Sequence, residues 1–384
     1  MSFTQPPRTS RRSFVKGSSL MLGSLTLAPA WLRAQDTPAA TPATAEALMR
    51  KGVAFLRPRQ EANGGWSTSR NEPGITALVI AGLLKTKQVT RSEPVISKGL
   101  GYLEQFLRPQ GGFDGAHANY TTAITLMAYK EANTDGKYDT LIKGGQDFLK
   151  TMQWDQSEGK DAKSDFYGGA GYGGSNSRPD LSNTTFMIEA LRDTGLPADD
   201  PALQKALLFV SRCQNLESEF NDQPWAGKVN DGGFIYTPAN GGQSMAGEVE
   251  GGGGLRSYGS MTYAGFKSMV YAGLTKDDPR VKAALAYIAK NYSVDENPGL
   301  GEKGLYYYYQ AFAKAMSALG EDQFTDAKGT KHDWRAELVN ALAKRQTPEG
   351  GWVNPADRFM EGDPNLVTAY SLVALSYTRP GKAG

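Results

Sequence analysis

Cysteine is nearly missing from this sequence: Cys213 stands alone among 384 residues. That excludes an intrachain disulfide and a zinc framework built on cysteine pairs. Strand alternation is missing as well; no segment switches regularly between apolar and polar side chains. Beyond the amino terminus no apolar run is long enough to cross a bilayer as a helix, so no permanent membrane span is expected. A basic surface is lacking too. The net charge is +2. Residues 1–34, however, hold Arg8, Arg11, Arg12, Lys16 and Arg33 and no acid, which leaves the remainder near −3. Nothing in that balance fits a nucleic-acid partner.

What is present begins with an address. Ser10-Arg11-Arg12-Ser13-Phe14-Val15-Lys16 precedes a moderately apolar run from Gly17 to Leu27. The arginine pair, with Phe two residues on, resembles a twin-arginine export signal. Such a signal implies the twin-arginine translocase as a partner during export and a periplasmic location for the mature chain. Cleavage is expected after Ala30 or Ala34. Residues 1–34 then form the signal, 35–44 a linker rich in Ala, Thr and Pro, 45–378 the folded domain and 379–384 a tail.

Glycine is plentiful, with 45 residues, and it recurs in one pattern. Gly64-Gly65-Trp66 follows Gln60, and Gly111-Gly112-Phe113 follows Gln110. Gly232-Gly233-Phe234 lies after Gln214 across an insertion, and Gly350-Gly351-Trp352 follows Gln346. Looser copies are Gly171-Tyr172-Gly173 and Gly304-Leu305-Tyr306. Marks recurring at roughly 50 to 70 residues indicate a repeat architecture. Each mark separates two helical segments. First members keep a charged stripe. Second members are nearly free of charge: 257–273 has only Lys267, and 305–319 has only Lys314. A helix apolar on all sides is buried on all sides. The second members are therefore expected to form an inner ring and the first members an outer ring. The expected fold is all-α, an α/α toroid of about six helical hairpins; an open solenoid is the alternative.

These marks and helix pairs resemble the repeats of the squalene cyclase and protein prenyltransferase superfamily, over about residues 45–378. The resemblance implies a cavity at one end of the inner ring and a partly apolar, terpenoid-like small molecule as its ligand. Chemistry does not travel with fold. The cyclase Asp-x-Asp-Asp tetrad is absent; Asp199-Asp200 and Asp277-Asp278 each precede a proline and read as helix caps. The prenyltransferase zinc site needs Asp two residues before Cys, where this chain has Ser211 before Cys213. No metal and no cofactor is expected, and the Gly-Cys-Gly-Glu-Gln thioester run of complement-type toroids is missing.

The resemblance places the cavity at the starts of the inner helices, which nominates residues there. Asp180 is a candidate general acid whose pKa a poorly solvated cavity would raise; its other reading is a helix cap. His117 is a candidate base, and Tyr263 completes the catalytic set. Tyr120, Asn183, Tyr258, Tyr306, Tyr309, Asp363 and Asn365 are candidate ligand contacts, offering hydroxyls and aromatic faces. Tyr306 to Tyr309 point about 100° apart around a helix, so only one or two can face a cavity. Gly251 to Gly254 is expected to be a flap, and His332 a surface residue. Two other readings stand beside the terpenoid one. A non-catalytic scaffold would have its cavity filled by side chains. A carbohydrate-active lyase or hydrolase would have an open, polar cleft.

Overall fold

Helix caps and glycine turns divide the domain into hairpins. The computed structural model describes residues 44–70, 73–173 and 177–379. The expected export signal, all but the last residue of the expected linker, and the expected tail beyond Arg379 lie outside them. The first hairpin is α1 (Ala45–Leu56) and α2 (Gly74–Lys85); the second is α3 (Pro94–Glu104) and α4 (Ala118–Ala132). The third is α5 (Asp139–Thr151) and α6 (Leu181–Asp193). The fourth is α7 (Pro201–Arg212), the single turn α8 (Ala226–Val229), and α9 (Gly259–Tyr271). The fifth is α10 (Pro279–Lys290) and α11 (Leu305–Leu319), and the sixth is α12 (Trp334–Arg345) and α13 (Pro364–Ser376). Asp200 and Asp278 are caps, accepting from Ala202 N and Arg280 N at 2.9 Å each. Between α11 and α12 two short strands pair, β1 (Phe324–Thr325) and β2 (Lys331–His332), a hairpin the sequence reading did not anticipate.

The second members do form an inner ring. α2 packs on α4, α4 on α6, α6 on α9, α9 on α11, α11 on α13, and α13 returns to α2. That closure removes the open-solenoid alternative. The inner helices run parallel. Near their starts, Asn119 bonds Asn183 and Asn365 bonds Ser67. Near their ends, Lys85 bonds Glu131, and Lys314 bonds Glu189. The positive ends of six helix dipoles therefore converge on one mouth of the barrel.

A glutamine staple repeats around the ring. Gln346 Nε2 donates to Gly350 O at 2.8 Å and to Leu48 O of α1 at 3.1 Å, joining the last turn to the first helix. Gln60 does the same to Gly64 O and Val95 O, and Gln214 to Gly232 O and Arg280 O. In the third repeat the staple is Gln153, to Gly168 O and Ala202 O. The third mark is thus Gly168-Gly169, not Gly171-Tyr172-Gly173. In the second repeat Leu107, bridged to Phe113, holds the position that Gln153 and Gln214 hold in theirs, and Gln110 is not the staple. Glycine is forced at these turns: Gly168 has φ +83°, and a Cβ there would lie 1.9 Å from Lys205 O. The aromatic of the mark packs on the neighbouring outer helix, Trp66 against Gly99 and Trp352 against Gly52. The backbone N–H of that aromatic residue is taken by a threonine of the inner helix, Thr76 for Trp66 and Thr368 for Trp352. Thr122 and Thr262 do the same for Phe113 and Phe234, and in the third repeat Thr184 takes the backbone N–H of Ala170, which stands where the aromatic would be.

Candidate ligand site at the mouth of the barrel

Asp180 caps α6. Its Oδ1 accepts Asn183 N at 2.8 Å and its Oδ2 accepts Asn183 Nδ2 at 2.8 Å. The cap does not exclude chemistry, because the carboxyl is only 1% exposed and burial pushes its pKa up to about 6. Hydrogen bonds from Asn183 and Tyr236 oppose that rise. Asn119 Nδ2 locks the clasp by donating to Asn183 O at 3.0 Å and Oδ1 at 3.1 Å. Asn183 is thereby consumed by Asp180 and Asn119, fully buried, and is not presented to a ligand.

Around this carboxyl the inner ring is lined by aromatic rings. His117 packs edge-on to Tyr172 at 5.4 Å, Tyr172 against Tyr120 at 5.5 Å, and Tyr120 against Phe186 at 5.0 Å. Phe186 meets Tyr307 at 6.2 Å, and Tyr307 meets Tyr370 at 6.0 Å. The chain of rings thus crosses from α4 through α6 to α11 and α13. Hydroxyls run along it: Tyr120 OH bonds Ser182 Oγ, which bonds Tyr307 OH at 2.7 Å. Tyr258 lies in the same cluster, its hydroxyl pKa raised by burial and by Tyr307 and Asp180.

Three nominated residues lie elsewhere. Tyr263 packs on Tyr308 at 5.5 Å and Phe312 at 5.1 Å, and is not brought to Asp180. Tyr306 and Tyr309, three apart, share the outward side of α11: their rings meet at 5.7 Å, and Tyr309 OH donates to Val294 O at 2.8 Å. Tyr307 is the member of that run that faces the mouth. His332 belongs to the outer rim, where Nδ1 meets Glu337 at 2.9 Å and Nε2 meets Asp326 at 3.3 Å. The Gly251–Gly254 segment forms a small ribbon, with Val249 N bonded to Gly254 O at 2.8 Å.

Asp363 and Asn365 sit on the α13 side of the mouth. Asp363 caps α13 and lines an open pocket of about 390 Å³ with Ser67, Ser69, Ile75, Asp357 and Met360. Asn365 Nδ2 donates to Ser67 Oγ at 3.0 Å. Beside this pocket is Glu361, which the sequence reading missed. It is fully buried, accepts Tyr307 N at 2.7 Å and Asn354 Nδ2 at 2.6 Å, and has its pKa pushed up to about 7 by burial. It clamps a loop in which Phe359 (φ 64°) and Met360 (φ 67°) both adopt the left-handed conformation.

Below Phe186 the barrel holds charge. Glu189 of α6 pairs with Lys267 of α9 and with Lys314 of α11, the latter at 2.5 Å, and all three side chains are at most 4% exposed. Among the described residues no group of three or more His, Cys, Asp or Glu side chains is placed to hold a metal, and no helix is long and apolar enough to cross a membrane.

Closed inner ring, encircling outer ring and a mouth lined by polar and aromatic side chains define an α/α toroid. No family model and no curated protein matches the chain. Solved structures do. A type II terpene cyclase from Scytonema is similar at 14% identity and a TM-score of 0.52, over 87% of this chain and 96% of that one. A variant of that cyclase holding geranylgeranyl dihydroxybenzoate gives a TM-score of 0.53 at 13% identity, over 87% and 97%. A family 76 glycoside hydrolase from a bovine Bacteroides thetaiotaomicron strain gives 0.54 at 11%, over 86% and 78%. At such identities the likeness is one of fold.

Proposed function

We propose that the protein binds a small, partly apolar, terpenoid-like molecule in the mouth of the toroid and that Asp180 serves there as a proton donor. The observation that carries this is the placement of a buried carboxyl, with a pKa of about 6, beneath a wall of tyrosine rings and hydroxyls. A carboxyl in that state holds its proton in mildly acidic solution, and the rings can stabilise a cation formed above it. A pocket of about 390 Å³ lies on the α13 side of the mouth, lined by Ser67, Ser69, Ile75, Asp357, Met360 and Asp363 and not by Asp180; its volume falls within the range of roughly 300–1,000 Å³ usual for small-molecule sites. Glu189, Lys267 and Lys314 occupy the axis below, which confines a ligand to the mouth.

A saccharide is the second reading, favoured by the open pocket with Ser67, Ser69, Asp357 and Asp363 on its walls. Titration calorimetry of the purified domain with geranylgeranyl dihydroxybenzoate and, separately, with a neutral oligosaccharide tests both. Binding of the prenylated compound, undiminished in Asp180→Asn while proton-dependent conversion is lost, is the expected result. Binding of the oligosaccharide alone shifts the conclusion to the second reading, and binding of neither refutes both. The Ser10–Lys16 motif supports export by the twin-arginine route to the periplasm. Replacing Arg11 and Arg12 by lysine should then hold the chain in the cytoplasm on fractionation; unchanged export would rule that route out.

A further inference from the structure

The pocket of about 390 Å³ lies on the seam where the ring closes. One wall belongs to the first repeat, with Ser67, Ser69 and Ile75; the other is the loop before α13, with Asp357, Met360, Gly362 and Asp363. That loop has a buried neck and an exposed tip. Asn354 is 2% exposed and Glu361 is fully buried, whereas Asp357, Arg358, Phe359 and Met360 are all exposed. The neck is pinned to itself and to the start of α11. Asn354 N donates to Glu361 O at 3.0 Å, and Asn354 Nδ2 donates to Glu361 Oε2 at 2.6 Å and to Glu302 O at 2.7 Å. Glu361 Oε1 accepts Tyr307 N at 2.7 Å. This last bond meets a need of α11, whose N-cap is Gly304 and offers no side chain to its first-turn N–H groups. At the tip, Phe359 and Met360 both take the left-handed conformation, with φ 64° and 67°. Such strain persists where surrounding bonds enforce it, and it gathers at ligand clamps and switches. Here the neck enforces it.

We propose that residues 355–360 are a lid on this pocket, latched at the neck by Asn354 and Glu361, and that the latch is tight in acid and slackens as pH rises. The groups bonded to the Glu361 carboxyl are neutral donors, an amide side chain and backbone N–H groups. A buried carboxylate without a cation beside it is disfavoured, and burial raises the Glu361 pKa from 4.5 to about 7. Released to water, the group returns toward 4.5. The latched form therefore holds the proton more tightly than the released form. Its hold is full below about 4.5, weakens as pH rises and is least above about 7. Between pH 5 and pH 8 the released fraction should grow roughly 50- to 100-fold. The other titratable or charged groups around Glu361 are Glu302 and Tyr306 at the start of α11, Arg345 of α12 and Tyr370 of α13. Asp357, Arg358 and Asp363 lie on the loop itself. Burial raises the pKa of both tyrosines, so neither ionises in this range. Slackening frees the wall formed by Asp357 and Met360. It also uncaps α11 at Tyr307, the ring that faces the mouth, so one bond couples lid and mouth. The lid works whether or not Asp180 acts as an acid.

Amide hydrogen exchange, followed by NMR on the deuterated protein, tests this without a ligand. The Tyr307 and Asn354 N–H groups are donors at the neck, so both report its opening. After correction for the intrinsic pH dependence of exchange, their protection should fall together by roughly 50-fold or more from pH 5 to pH 8. Amides in the middle of α4 should stay level. In Glu361→Gln, which is neutral throughout and keeps an acceptor for Tyr307 N, the pH dependence should vanish. Asn354→Ala cuts the neck at its other residue and should speed Tyr307 exchange at pH 5 by at least about tenfold. A corrected Tyr307 profile that is flat in the parent, or equally steep in the parent and Glu361→Gln, overturns the latch. Unchanged Tyr307 exchange in Asn354→Ala overturns the neck, and the lid with it. Should Glu361→Gln not fold, the parent profile and Asn354→Ala decide the matter alone.

Discussion

Replacing Lys314 by methionine is expected to stabilise this protein, although it removes one arm of a buried ion pair. The reason is the charge inventory. Glu189 is one carboxylate facing two ammonium groups, Lys267 and Lys314, all withdrawn from water. The two lysines together outweigh desolvation at Glu189 and pull its pKa down to about 2. Lys314 fares the other way: burial first, and the Lys267 charge besides, push its pKa down to about 8 despite Glu189. A fall from 10.5 to about 8 corresponds to roughly 3 kcal/mol of destabilisation at pH 7, where Lys314 is charged in folded and unfolded chains alike. The sign follows from linkage. With the folded pKa below the unfolded one, the penalty is full below about 8, shrinks as pH rises, and is gone above 10.5. Lys314→Met keeps a similar volume, leaves a one-to-one Glu189–Lys267 pair, and should gain about 2–3 kcal/mol at pH 7. Glu189→Gln leaves two buried ammonium groups unpaired and should lose roughly 3–5 kcal/mol. Urea unfolding of both variants and the parent at pH 7 and pH 10 measures this. The advantage of Lys314→Met should fall by roughly 1.4 kcal/mol per pH unit above about 8. A loss of more than about 2 kcal/mol in Lys314→Met at pH 7, or a pH-independent difference, refutes the reasoning.

Two further outcomes follow from local geometry. Gln346→Ala strips hydrogen bonds from Leu48 O and Gly350 O, which should cost roughly 2–4 kcal/mol; because this staple closes the ring, hydrogen exchange should rise in α1 as well as α12, and exchange confined to α12 would contradict a closing role. Met360→Gly relieves a left-handed non-glycine residue that is 38% exposed, so thermal unfolding should move up by the equivalent of roughly 1 kcal/mol; a lowered midpoint would show that the Met360 side chain holds the loop.

The ring itself was legible because its two helix sets differ in charge, and burial requires that difference. The turns were legible in part. The Gly-Gly-aromatic marks gave four hairpins correctly, but the third mark is stapled by Gln153 to Gly168, residues that the looser Gly171 copy concealed. The threonine that takes the backbone N–H of the residue after the mark's two glycines recurs in five repeats at Thr76, Thr122, Thr184, Thr262 and Thr368, that residue being aromatic in all but the third, where it is Ala170. No composition signal announced it, since a single threonine near a helix start is unremarkable until its partner is seen. Glu361 was illegible for a similar reason. It caps α11 from a loop 54 residues away, and only tertiary structure brings it there.

The site was misread where the property that revealed the inner helices erased their orientation. An amphipathic helix declares which side faces the core; one that is apolar all round carries no such phase. On α11 the tyrosine run therefore gave no means of choosing, and Tyr306 and Tyr309 were nominated where Tyr307 faces the mouth. The missing phase was in the two charges that looked like exceptions. A lone lysine on a buried helix must point where another charge can meet it. On α11 that is Lys314, and the residue seven positions back, about 20° around the axis, is Tyr307. On α6 the charge that meets it is Glu189, with Arg192 and Asp193 following in the last turn, and seven back is Ser182. The structure pairs these accordingly: Lys314 with Glu189 at 2.5 Å, and Tyr307 with Ser182 at 2.7 Å. Two helices thus touch twice across the barrel, once through ions and once through hydroxyls, with roughly 10 Å of rise between. The ion contact needs no ligand. The hydroxyl contact lies at the end where the helix dipoles point, next to Asp180, and the same phase argument that recovers Tyr307 also places Ser182 beside the acid.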